Sequence, residues 1–127
     1  SWNGKFGETI GIAWNHSTET ARVLALSMPI IQMAKKVFVI EVDGWVHAGP
    51  DGRALARYLE ANEIEVEIKK GASSGNAGER VLEVASSCGV DLLVKGAFTQ
   101  SRLTQMIFGG ATRAILDQAQ IPVIFAH

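Results

Sequence analysis

Apolar and polar positions along the chain follow two periods, one typical of strands and the other of helices. Short apolar or strictly alternating runs, rich in β-branched residues, predict five strands. Between them, apolar residues recur every three or four positions, which predicts four helices. The predicted strands are Glu8–Trp14, Lys36–Val42, Ile64–Lys70, Val90–Gly96 and Ile121–Ala126, and the predicted helices span residues 17–34, 52–62, 77–89 and 109–120. The alternation predicts an α/β fold in three layers, with a parallel sheet between two layers of helices.

Three features of the helices give local expectations. Pro29 lacks the N–H that a helix interior uses, so a kink or a break is expected there. Leu55, Tyr58 and Leu59 are placed on one apolar face of the second helix. Gly89 is predicted to end the third helix. The positions of that helix predicted to face inward are Val81, Val84, Ala85 and Cys88.

The apolar strength of each strand predicts the strand order. The first, second and fourth strands are the most apolar and belong in the centre, whereas the third alternates and therefore has one wet face. The fifth carries Pro122 near its start, as edge strands tolerate. Order 3-2-1-4-5 satisfies these conditions and reverses between the first and fourth strands. Ligands of open α/β sheets bind beyond the strand ends at such a reversal, here beside residues 14–17 and 96–99.

The segment from Val94 to Ile115 has two readings. Gly96 follows a strand, and Gly109 and Gly110 precede a predicted helix, whose N-terminal N–H groups and dipole favour an anion. Hydroxyl groups that can add donors belong to Ser101, Thr104 and Thr112. This arrangement is consistent with a phosphate cradle. The alternative is that the glycines serve only the backbone turns, as most turn glycines do.

The composition narrows the classes of function. The chain has 127 residues and a net charge of −1, which predicts one domain over 1–127, with 1–7 as a lead-in or linker. The sequence has no basic stripe, so nucleic acid is not predicted as a partner. It also has no apolar run of the kind that predicts a membrane span or a secretory signal. A single cysteine, Cys88, fits a reducing compartment, so we predict a cytoplasmic protein. Because the chain begins with Ser1, we expect a processed start or a piece of a longer protein.

The two ends of the chain, "ETIGIAWNHSTETARVLALS" and "DLLVKGAFTQSRLTQMIFGGATRAILDQAQIPVIFAH", resemble a universal stress protein domain. The resemblance implies an adenine nucleotide alpha hydrolase-like fold with the strand order above. It also implies ATP or another adenine nucleotide as ligand, bound through a motif G-x-x-G, nine residues, G-[S/T]. Gly96 and Gly109 match this motif, whereas Thr99 and Gly110 depart from it.

Two further positions follow from the same resemblance. Asn15 occupies the position at which ATP-binding members carry an aspartate near the ribose. Val42 occupies the position at which the backbone of those members contacts the edge of the adenine. "WNHST", "GAFTQSRLTQMIFGGATR" and "PVIFAH" look most like the second domain of tandem universal stress proteins. Members of the family pair through the last strand. The resemblance therefore implies a homodimer, or pairing with a second such domain in a longer chain, across Pro122, Val123, Ile124, Phe125 and Ala126.

Each of several polar and aromatic residues near the predicted crevice allows two interpretations of its role. Trp14 either stacks on a base or fills the crevice itself. Glu41 is either a functional polar group in the region of the adenine or a solvated strand end, and Lys95 either approaches an anion or is solvated. His47 and His127 have no metal-ligand spacing with Cys88 or each other, so no metal is predicted.

Three classes of function remain, and they differ in what they require of the crevice. The first is a stress-response module that binds a nucleotide through a degenerate loop. The second is an interaction module that has lost ATP binding and works through dimerisation. The third, a slow ATP hydrolase, ranks last, because no general base, carboxylate pair or nucleophile converges on the crevice, and no catalytic residue is assigned.

Overall fold

The structure, a computed structural model of the chain, describes residues 7–14, 18–42, 51–71, 77–96, 115 and 118–126. The strands are β1 (Thr9–Ala13), β2 (Lys36–Val42), β3 (Val66–Gly71), β4 (Leu92–Gly96) and β5 (Val123–Ala126). The helices are α1 (Thr18–Ile31), α2 (Gly52–Ala61) and α3 (Ala77–Ser87). Most of the fourth predicted helix lies outside the described residues. Ile115 and Gln118 within it are helical, and the Ala119 N–H donates to the Ile115 carbonyl at 3.0 Å.

The five strands are parallel and form one sheet in the order β3-β2-β1-β4-β5, which confirms the predicted order. β2 spans the residues predicted for it. β5 begins at Val123 rather than Ile121, since Pro122 between them has no N–H to give to the ladder. The edge positions of β3 and β5 are those expected from the alternation of one and the proline of the other.

The apolar side chains of the sheet divide into two cores, one on each face. One core joins the sheet to α1 and α2, and its fully buried members include Ile10, Ile12, Ile31, Val37 and Leu59. The other joins it to α3 and to the helical Ile115, with Ala13, Ile40, Val81 and Leu93 fully buried. The strands buried on both faces are the continuous apolar ones, as their composition predicts. The chain therefore has the three-layer architecture expected of it.

Two helix predictions differ in part from the structure, each for a local reason. Of the kink or break predicted at Pro29, the break does not occur, because α1 runs through Pro29 and ends at Ile31. In this last turn the proline removes one hydrogen bond, to the carbonyl of Ala25, whose exposed position lets water replace it. Tyr58 is 53% exposed, since the buried face of α2 is centred on Gly52, Leu55, Ala56 and Leu59 and leaves it at the border.

The inward face predicted for α3 is confirmed at its centre. Val81 and Ala85 are buried, whereas Val84 and Cys88 are only partly so. Gly89 has φ +71, a left-handed conformation that favours glycine, so the helix ends where the sequence predicted.

The Asp91 carboxylate fixes the start of β1, where sequence reasoning assigned it no role. It accepts hydrogen bonds from the N–H groups of Gly7 at 2.6 Å and of Glu8 and Thr9 at 3.3 Å. Because these bonds go to a charged acceptor, we expect Asp91→Ala to lower the free energy of unfolding by about 2 kcal/mol. Urea denaturation measures this, with Glu60→Ala on the exposed face of α2 as the control. Equal stability of the two variants would contradict the assignment.

Candidate functional site

The sheet places the ends of β1 and β4 side by side, with Ala13 opposite Lys95 in the register. From β1 the chain continues into α1 on one face of the sheet. The helical Ile115, between β4 and β5, packs on the other face. Connections that leave neighbouring strands toward opposite faces open a crevice at their carboxyl ends. The reversal of strand order, where such a crevice is expected, thus lies between β1 and β4, beyond Trp14 and Gly96.

Trp14 borders this crevice with its backbone, while its side chain belongs to the core. The indole is 3% exposed and packs in the core between the sheet and α1, in the cluster that also holds Ile12 and Leu24. The main-chain N–H of Trp14 donates to the Ile40 carbonyl at 2.9 Å, which extends the β1–β2 ladder by one residue. The buried indole is not open to stack on a base, and it fills the core between the sheet and α1 rather than the crevice.

Val42 and Gly96 end the strands on either side of β1. The Val42 side chain is 2% exposed and packs in the core on the α3 face, so this residue faces the carboxyl edge with its backbone. Gly96 closes β4 and pairs with Ala126 of β5 in the register. The remaining predicted nucleotide contacts, Asn15, Thr99, Ser101, Gly109 and Gly110, lie outside the described residues.

Glu41 is a buried carboxylate next to this edge. It is 7% exposed and accepts a hydrogen bond from the Gly52 N–H, at the start of α2, at 2.8 Å. On the neighbouring strand Lys70 lies opposite it, with its Nζ 3.6 Å from a carboxylate oxygen. The interpretation of Glu41 as a solvated strand end is therefore wrong. Its pairing with Lys70 could be predicted from the sequence only if the register between β2 and β3 were already known.

Gly52 lies against the end of the Glu41 side chain. A Cβ on Gly52 would lie 2.6 Å from the Glu41 carboxylate carbon, so the carboxylate would have to shift. The Asp51 carboxylate caps the same helix by accepting from the Ala54 N–H at 2.9 Å. Two carboxylates therefore occupy the N-terminus of α2, where a helix would otherwise attract an anionic ligand. An anion at this edge of the sheet must find its donors nearer β1 and β4.

Lys95 is buried at the end of β4, so the interpretation of Lys95 as a solvated lysine is wrong. It is 3% exposed and lies on the same face as Leu93, the face covered by α3. Burial lowers the pKa of its amine to about 8 from an ordinary value of 10.5. The amine is therefore still mostly protonated at neutral pH. It places positive charge one residue before Gly96, on the side of the sheet opposite Glu41.

Within the described ranges, no group of three or more His, Cys, Asp or Glu side chains is placed to hold a metal ion. In the same part of the chain, no helix has the length and apolar character needed to span a membrane. Cys88 is a free thiol, partly buried just after the end of α3.

Comparison with known proteins gives a family match and a set of similar folds. The profile of the universal stress protein family matches residues 16–127. A search of curated proteins finds no match. Among solved structures, a universal stress protein from Archaeoglobus fulgidus DSM 4304 superposes with a TM-score of 0.76 at 16% identity. That alignment covers 95% of this chain and 44% of the other, so the chain spans less than half the length of this relative.

Two other similar structures contain nucleotides. A universal stress protein in complex with cAMP has a TM-score of 0.67 and 16% identity over 94% of this chain and 97% of its own. The universal stress protein from Archaeoglobus fulgidus in complex with dAMP has a TM-score of 0.64 and 14% identity over 94% and 96%. At such identities the likeness shows the fold, which is adenine nucleotide alpha hydrolase-like.

Proposed function

The chain belongs to the universal stress protein family, and from that premise we propose that it binds an adenine nucleotide at the carboxyl edge of its sheet. The observation that carries the proposal is the reversal of strand order between β1 and β4, which opens a crevice bordered by Trp14, Val42 and Gly96. Similar structures that hold cAMP and dAMP support an adenine nucleotide as the class of ligand.

The base is best accommodated by main-chain groups. The side chains of Trp14 and Val42 are buried in opposite cores, so what these residues offer the crevice is main-chain groups, apart from the Trp14 N–H, which already donates to the Ile40 carbonyl. Such groups can pair with the edge of an adenine, which presents both a donor and an acceptor. Asn15, in place of an aspartate, adds an amide that can hydrogen-bond a ribose hydroxyl without a charge.

The phosphates are held more weakly than an intact family motif would hold them. Gly96 and Gly109 keep the positions where the backbone approaches the phosphates. Thr99 adds a Cβ at another such position, and Gly110 lacks the hydroxyl donor. The N-terminus of α2 is a poor substitute, because the Glu41 and Asp51 carboxylates place negative charge there and already accept the N–H groups of Gly52 and Ala54. We therefore expect the adenosine part to supply most of the affinity.

Mass spectrometry of freshly purified, denatured protein tests the class of ligand. We expect a co-purified adenine nucleotide in the released small molecules. The matched control is the same protein after extensive dialysis, from which a weakly held nucleotide should be lost. A guanine or pyrimidine nucleotide as the main species would contradict the proposal. So would the absence of any nucleotide together with no binding of added AMP.

The second part of the proposal is an assembly through β5. β5 pairs with β4 on one side, and its other edge faces no strand among the described residues. Val123 and Ile124 on this strand are only partly buried, and no lysine interrupts it. An open apolar edge favours the addition of another strand. We propose that the partner is β5 of a second copy, or of a second domain of this kind in a longer chain.

A charge on this edge is expected to shift the dimer toward monomer. Ile124→Lys would bring a lysine to the centre of the proposed contact and require its desolvation. Multi-angle light scattering at micromolar concentration measures the mass, and circular dichroism checks that the variant is folded. Gln120→Lys places the same charge on an exposed residue before the strand and should leave the dimer intact. A monomeric unaltered chain, or a dimer unaffected by Ile124→Lys, would contradict the interface.

A further inference from the structure

Glu41 joins three elements at the carboxyl edge of the sheet. It lies next to the last residue of β2, and one of its carboxylate oxygens accepts the Gly52 N–H of α2 at 2.8 Å. The Lys70 amine of β3 lies 3.6 Å from the other oxygen. Glu41 shares a face of the sheet with Val39, which packs in the core against α1 and α2. One buried side chain therefore sets the distance between the end of β2 and the start of α2.

Val42, the next residue, directs its main-chain groups toward the side of β2 on which β1 lies. In a parallel pair, the N–H and carbonyl of one residue point to the same neighbouring strand, and this direction alternates along the chain. The Ile40 carbonyl accepts the Trp14 N–H, so Ile40 points to β1. Val42 points the same way two residues further on, whereas β1 ends at Ala13, opposite Ile40. The N–H and carbonyl of Val42 are therefore the main-chain donor and acceptor best placed for an adenine.

We propose that Glu41 is a positioning residue for the base, because its bond to the Gly52 N–H holds the main chain of Val42 toward the adenine. This role depends on the proposed binding of an adenine nucleotide. The peptide group between Glu41 and Val42 is planar and carries the Val42 N–H. A side chain that fixes Glu41 against α2 thus also fixes the direction of that donor.

The stability of the fold is a weak reason for a carboxylate at this position. Glu41 is 7% exposed, and an ion pair with a lysine that is 65% exposed recovers only part of the cost of its desolvation. An apolar residue of similar volume would avoid that cost. The start of α2 already has a cap, since the Asp51 carboxylate accepts the Ala54 N–H at 2.9 Å. What Glu41 adds is a directed bond between β2 and α2.

The ratio of the dissociation constants for IMP and AMP tests this role. IMP carries the same ribose and phosphate but exchanges donor and acceptor along the edge of the base, so the ratio reports how the base is read. We expect the unaltered chain to bind AMP at least about tenfold tighter than IMP in calorimetric titrations. Glu41→Ala should bring the two dissociation constants within about threefold of each other. Glu41→Gln retains an acceptor oxygen for the Gly52 N–H and should keep most of the preference.

Asp51→Ala is the matched control, because it removes the carboxylate that caps the same helix. It should weaken the start of α2 and leave the preference for AMP unchanged. Circular dichroism checks that each variant is folded at the temperature of the titration. Hydrogen exchange of the Val42 amide, followed by NMR in the nucleotide-free chain, reports the main chain itself. Its rate should rise at least about tenfold in Glu41→Ala and stay unchanged in Asp51→Ala.

The outcomes separate this role from the proposed function. An unchanged preference in Glu41→Ala, an equal loss in Glu41→Gln or in Asp51→Ala, or an unchanged exchange rate of Val42 in Glu41→Ala would overturn the role of Glu41 alone. Equal affinities of the unaltered chain for AMP and IMP would overturn the reading of the base by Val42, and the role of Glu41 with it. If the unaltered chain bound neither nucleotide, the proposed function itself would fail.

Discussion

Replacing Thr99 with glycine and Gly110 with serine is expected to tighten ATP binding by roughly ten- to a hundredfold. The first change removes a Cβ where the backbone should approach the phosphates, and the second restores a hydroxyl donor. One charge-assisted hydrogen bond contributes about 1.5–3 kcal/mol, which corresponds to that gain in affinity. Isothermal titration calorimetry of the unaltered chain and of the double variant measures the difference.

Adenosine provides the control for this comparison, because it carries the base and ribose without phosphates. Its affinity should be the same in both proteins if Thr99 and Gly110 act on the phosphates alone. An equal gain for adenosine would assign the effect to the shape of the loop instead. An unchanged affinity for ATP would contradict the phosphate-binding role of the two positions.

Gly52→Ala is expected to lower the free energy of unfolding by about 1–2 kcal/mol, although alanine ordinarily favours a helix over glycine by up to about 1 kcal/mol. The added Cβ would lie 2.6 Å from the Glu41 carboxylate carbon and 2.7 and 2.9 Å from its oxygens. The carboxylate must then move and give up the Gly52 N–H, at present 2.8 Å away. Urea denaturation at neutral pH measures the loss.

A double-mutant cycle separates this contact from a general effect on the helix. Glu41→Ala alone leaves the Gly52 N–H without its acceptor and removes buried packing, so it should also destabilise. In the double variant the new Cβ has room, and the combined loss should fall short of the sum by at least about 1 kcal/mol. Additive losses would contradict the account of Gly52.

The sheet could be predicted from the sequence because a strand buried on both faces is apolar throughout, whereas a strand buried on one face alternates apolar and polar residues. β4 is apolar throughout its first residues and lies inside the sheet, whereas β3 alternates and lies at an edge. Right-handed crossovers and the reversal between β1 and β4 then follow from general rules.

The polar contacts were not predictable, since they depend on register and on distant segments. Glu41 meets Lys70 because β2 and β3 pair in one particular register, which no local pattern reveals. Asp91 binds the N–H groups of residues more than 80 positions earlier in the chain. Lysine is usually exposed, and the sequence around Lys95 does not show that this one is buried. Pro29 shows the limit of a local rule, as its effect depends on how near the helix end it lies.

The departures from the family motif and the geometry of the carboxyl edge lead to one account. In the proposed account, backbone groups at the ends of β1 and β2 hold the adenosine, and a weakened loop after β4 adds little for the phosphates. The carboxylates at the start of α2 support the same conclusion, because they occupy the donors that a second anion site would need.

Calorimetric titration of the unaltered chain with AMP and with ATP tests this account most directly. The account predicts that both nucleotides bind at one site per chain, with ATP less than about tenfold tighter than AMP. No binding of either nucleotide at millimolar concentration would contradict the proposed ligand class. ATP bound with a dissociation constant below about 1 μM, and a hundredfold or more tighter than AMP, would contradict the weakened hold on the phosphates.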